Sequence, residues 1–140
     1  MKFIKIFYIN ILLLGVLSST AVSQDISQIT FINELDGKSA ATYGDALRMF
    51  EFQERNSNLY MLKGYNNDAR LTKGMASLMT ARYLKLNKSL MYKIFDIERY
   101  AYRACLADKF FSIDGGENDL MSGPELIELL AKINDYKSGK

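Results

Sequence analysis

The chain has 140 residues, with one cysteine, one proline, no histidine and no tryptophan, and 18 lysines and arginines stand against 16 aspartates and glutamates. Without histidine there is no Ser-His-Asp or Cys-His nucleophile pair, no histidine metal ligand and no histidine pH switch. A lone Cys105 cannot form an internal disulfide, and a near-neutral chain without a basic stripe lacks the electrostatic footprint of a nucleic-acid binder.

In chain order, the first stretch is MKFIKIFYINILLLGVLSSTAVSQ. Lys2 and Lys5 precede an apolar run from Ile6 to Leu17 and a small-residue site at Ala21-Val22-Ser23, the pattern of a secretory signal peptide over residues 1–23. The apolar run is shorter than the roughly 20 residues a membrane span needs. The mature chain is therefore expected to start near Gln24, to be exported to the periplasm or secreted, and to carry no integral membrane span. Losing Lys2 and Lys5 leaves acids and bases balanced, so no nucleic-acid partner is expected.

Residues 24–41 form an N-terminal arm, in which "ISQITFINEL" fits an extended segment or a short helix. An α-helical domain is expected over 42–136, with a flexible tail at 137–140. Apolar residues at helical spacing predict helices at Gly44–Glu54, Lys73–Leu86, Ser89–Phe95, Ile97–Phe110 and Gly123–Ile133. Ala101, Ala104 and Cys105 suit close helix contact, with Cys105 a buried packing residue. The expected fold is a single small all-α domain of about five helices, a helix-loop-helix array or irregular bundle.

Three helix entries look alike: "TYGDALRM" at Thr42, "TKGMASLM" at Thr72 and "SGPELIELL" at Ser122. A hydroxyl oxygen at these positions can accept from the exposed N–H groups of the first turn, and an acid three residues later can answer the cap's own amide. Thr42 with Asp45 approximates that box and Ser122 with Glu125 satisfies it; Thr72 has Met75 in the answering place. The three are either echoes of one unit or independent caps, since their spacings are unequal.

"KGYNNDARLTKGMASLMTARYLKL" and "YAYRACLADKFFSIDGGENDLMSGPELIELLAKI" resemble the helix, loop and helix entry of S-layer homology repeats, over roughly Gly44 to Ile133. Lys73 stands where that family carries arginine, and Met75 and Ala76 where it carries an acid. The resemblance implies a helix-loop-helix array and noncovalent attachment to cell-wall polysaccharide.

The stretch Asp114–Glu125 also resembles an EF-hand loop. Oxygen ligands for calcium stand at Asp114, Asn118, the Leu120 carbonyl, Ser122 and Glu125, while Gly116 offers none at the third position and Asp119 replaces the turn glycine. The same residues have a metal-free explanation, a turn capped by Ser122 and Glu125 with Pro124 in the first helical turn. Arg99 and Arg103, one turn apart, can form a face for an anionic partner. Glu51 with Glu54 and Glu125 with Glu128 form carboxylate pairs that also suit solvated helix faces. The expected function is thus a non-catalytic binding or structural module of the bacterial cell envelope, with an envelope protein or cell-wall glycan as partner and no cofactor. A calcium-binding module is the alternative, and a carboxylate enzyme using Glu51, Glu98 or Glu125 comes third.

Overall fold

The computed structural model describes residues 26–87 and 89–139, so the expected leader at 1–23 lies outside the described residues. The chain divides into two compact units, Met1–Glu34 and Leu35–Lys140. Residues 26–36 are helical (α1) rather than an extended arm, with Thr30 Oγ1 donating back to the Ile26 carbonyl at 3.0 Å. Phe31 and Leu35, four residues apart, are buried, so one face of a helix rich in β-branched residues is committed to packing.

The second unit is a small all-α domain. Its helices are α2 (Tyr43–Gln53), α3 (Lys73–Leu84), α4 (Leu90–Phe95), α5 (Glu98–Ala107) and α6 (Gly123–Lys137), with a 3₁₀ turn at Ser57–Leu59. Several ends differ from the periodicity. The third predicted helix begins at Leu90 with Ser89 as its cap, and the fourth is shorter at both ends. Helix α3 stops at Leu84 because Lys85 turns left-handed at φ 52°, and α4 stops because Asp96 does so at φ 42°. Neither stop carries the glycine that usually marks one. Helix α6 runs on to Lys137, through the start of the expected tail.

Helix α3 is the centre of the unit. Every residue from Gly74 to Ala81, and Tyr83, is buried, as expected of a helix surrounded on all sides. Its buried hydroxyls are satisfied internally, Ser77 Oγ donating to the Lys73 carbonyl and Thr80 Oγ1 to the Ala76 carbonyl. Against it lies α5, whose buried Ala101, Ala104 and Cys105 permit close approach, and the Cys105 thiol sits 3.6 Å from the Ser77 carbonyl. A ring cluster of Phe50, Tyr60 and Tyr83 fills the space beside α2, with centroids 5.2 to 6.4 Å apart.

The helix entries are joined by backbone. Ala41, Leu71 and Met121, each immediately before a cap, are fully buried. The Leu71 amide donates to the Ala41 carbonyl at 2.9 Å, the Met121 amide to Leu71 at 2.9 Å, and the Ala41 amide to Met121 at 2.8 Å, which closes a ring of three. Two residues on, Tyr43 donates to Ala69, Lys73 to Asp119 and Gly123 to Lys38. One residue further, Gly44 donates to Asn67 and Gly74 to Glu117, while the third place holds Pro124, which has no N–H to offer. Buried backbone groups must be paired, and here the pairing ties the entries of α2, α3 and α6 into one hub.

Candidate functional site

The hub fixes the sequence-predicted caps. Thr42 accepts from the Asp45 amide while Asp45 Oδ2 accepts from the Thr42 amide at 2.9 Å. Burial alone would raise the Asp45 carboxyl, but the Lys38 amine at 2.8 Å and the Thr42 bonds outweigh it and hold it below its ordinary value. Thr72 accepts from the Met75 amide without a reciprocal bond. At the third entry, Glu125 Oε2 accepts from the Ser122 amide at 2.8 Å and hydroxyl at 3.0 Å, and Glu125 Oε1 lies 3.6 Å from Lys73 Nζ. The Ser122 amide, then the Ser122 hydroxyl and Lys73, lower the Glu125 carboxyl against a smaller opposing effect of burial.

Of the remaining calcium candidates, Asp114, Asn118 and Leu120 are exposed on the loop before α6, and the loop closes on itself through Gly116 N–H donating to Asp119 Oδ2 at 2.9 Å. Glu125, the ligand a calcium loop needs most, has one oxygen in the helix cap and the other beside a lysine. Next to it, a 260 Å³ pocket brings Lys73, Glu125, Glu128 and Lys132 around Phe110 and Phe111. Its charges are matched in place, with Lys132 2.7 Å from Glu128. The other carboxylates stand apart: Glu54 accepts from the Asn56 amide, and Glu98 from the Tyr65 hydroxyl. The carboxylate of Glu98, then burial, push the Tyr65 phenol up to about 12.

Among the described residues, α4 carries a run of exposed apolar side chains. Leu90 is 70% exposed, Met91 43%, Ile94 62% and Phe95 51%, and Ile97 just beyond is 46% exposed. At 100° per residue, positions 90, 91, 94 and 95 share one side of the helix, and Tyr92 alone is buried on the other. The amphipathic rule is thereby inverted, with the apolar side facing solvent. Tyr92 anchors the helix: burial and the Asp96 carboxylate push its phenol well above the ordinary value. Asp96 is in turn gripped by Arg82, whose Nη1 also donates to the Met61 carbonyl at 3.2 Å. Phe95 leans on Tyr100 with centroids 5.5 Å apart. Arg99 and Arg103 are exposed on α5, which follows directly.

Sequence reasoning missed this surface because the helical spacing that predicts Ser89–Phe95 does not say whether its apolar side is covered. The available signal was four apolar residues in a six-residue helix, more than so short a segment can bury. Among the described residues, no helix is long and apolar enough to cross a membrane. Comparison with family models, curated proteins and solved structures finds no match to this chain.

Proposed function

We propose that this chain is an exported, non-catalytic docking module of the bacterial cell envelope, which holds another envelope component through the apolar side of α4. The observation that carries the reading is the run of exposed Leu90, Met91, Ile94 and Phe95 on a helix anchored from behind by Tyr92 and Asp96, with exposed Ile97 just beyond it. Folded domains seldom leave so many large apolar side chains together in water, and where they do the patch marks an interaction surface. Export rests on the leader pattern at 1–23. The absence of histidine and the engagement of Glu54, Glu98, Glu125 and Glu128 with neighbouring groups favour binding over catalysis.

Fractionation of the producing cells tests it. The parent protein is expected with the envelope fraction, and Leu90→Ser/Ile94→Ser is expected to be released from it with an unchanged thermal melt. Equal retention of parent and variant would remove α4 from the function.

A further inference from the structure

We infer that the partner of the α4 surface is an anionic phospholipid leaflet, on which the helix lies flat with Leu90, Ile94 and Phe95 inserted among the acyl chains. The inference rests on the docking reading above and names the occupant of that same surface.

Charge is what selects the occupant. Lys85, Lys93, Arg99 and Arg103 are all exposed in the stretch that carries the apolar residues. The two acids of that stretch are engaged, Asp96 by Arg82 at 2.8 Å and Glu98 by the Tyr65 hydroxyl. Four exposed cations thus stand in this stretch against two acids, of which Asp96 is charge-paired, in a chain whose formal charge is only +2. Exposed Leu, Ile and Phe beside lysine and arginine is the composition of a helix that lies in a membrane interface, the aliphatic groups entering the hydrocarbon boundary and the cations meeting headgroup phosphates. Lysine and arginine stems add apolar contact while their charged ends stay at the headgroups. A soluble polyanion would satisfy the cations and leave the apolar side wet. A second copy pairing symmetrically would set each cationic rim against its own duplicate, because a two-fold interface brings the same patch to itself.

The helix is also presented for the purpose. With six residues it is too short to span, and both its ends are fixed, by the Ser89 cap at the start and the left-handed Asp96 at the finish. A peripheral mode follows, without a transmembrane element from this region.

The test uses the purified full chain carrying Ile94→Cys and a polarity-sensitive thiol fluorophore. Cys105 is fully buried and leaves the label to position 94. The protein is mixed with phosphatidylcholine vesicles containing phosphatidylglycerol, or with phosphatidylcholine alone, with and without brominated acyl chains. The expected result is a blue shift and bromine quenching on the anionic vesicles only. Lys85→Glu/Lys93→Glu is expected to weaken partitioning by well over tenfold, from about fivefold for each cation lost. Quenching of equal strength on neutral vesicles would overturn the charge selection, and an unquenched probe on anionic vesicles would overturn the lipid occupant. If the probe stays aqueous on lipid but shifts with solubilised envelope proteins, the docking reading stands with a protein partner. If it shifts with neither, both fall.

Discussion

The Arg82 guanidinium grips the Asp96 carboxylate at two points, Nη2 to Oδ2 at 2.8 Å and Nε to Oδ1 at 3.3 Å, and so ties α3 to the residue that ends α4. The pair is part-exposed, so its worth in global stability is small, under about 1 kcal/mol. Its effect is local. Asp96→Asn keeps a residue that tolerates the left-handed backbone and removes the charge. The melting temperature is expected to move little while the amides of α4 exchange faster with deuterium. Unchanged exchange at α4 would show that Tyr92 holds the helix alone.

At the hub, Gly123 has no room for a side chain. An added Cβ would lie 1.6 Å from the Leu35 carbonyl oxygen, and the Gly123 amide donates to Lys38 at 2.9 Å. Gly123→Ala must push backbone away from backbone and is expected to cost about 3 kcal/mol or more. At Gly116 an added Cβ meets nothing within 4 Å, and Gly116→Ala is expected to stay within about 0.5 kcal/mol. Chemical denaturation of the two variants checks both.

Acid should weaken the same hub. Asp45 and Glu125 are held below their ordinary values of 3.8 and 4.5, so each is a weaker proton acceptor in the folded chain than in the unfolded one. Their stabilisation is fully present above those ordinary values and is lost as pH falls through the lower folded ones. Stability is expected to fall as pH drops below about 4.5, and Asp45→Asn together with Glu125→Gln to flatten that fall. Denaturation curves across the acid range measure it.

Cys105 offers a probe of global opening. Burial pushes its thiol up to about 12, and the side chain is fully enclosed between α3 and α5. Labelling by a thiol reagent at neutral pH is expected to be negligible in the native protein and to track the unfolding equilibrium when denaturant is added. Rapid labelling without denaturant would mean that α5 opens on its own.

Calcium is expected to leave the melt unchanged. An ion at Asp114–Glu125 would have to draw Glu125 from Ser122 and compete with Lys73 at 3.6 Å. A rise of several degrees in about 1 mM calcium, the shift expected of a site near 10 µM affinity, would restore the metal reading.

What the sequence disclosed follows from distance along the chain. Thr42 and Asp45, or Ser122 and Glu125, are three residues apart, so a reader of residues can pair them. The ring of Ala41, Leu71 and Met121 is made of backbone groups far apart in sequence, and its only trace is an apolar residue before each hydroxyl cap. The unequal spacing of the three entries disguised it, because α3, α4 and α5 lie between the second and third while α2 and a 3₁₀ turn lie between the first and second. The end of α3 was hidden because Lys85 takes the left-handed turn without being glycine, whereas the end of α4 at Phe95 was legible in the sequence. The α4 surface escaped because periodicity says which residues share a face, not whether that face finds a partner within the chain. Only the fold shows that Tyr92 takes the inward side and leaves the others outside.

The most direct measurement is hydrogen exchange of the full chain with and without washed envelope material from the producing cell. Protection concentrated at residues 90–97, and lost in Leu90→Ser/Ile94→Ser, is the expected result. Exchange unchanged at 90–97, or protection confined to the α6 entry and the 114–125 loop, would contradict docking through α4.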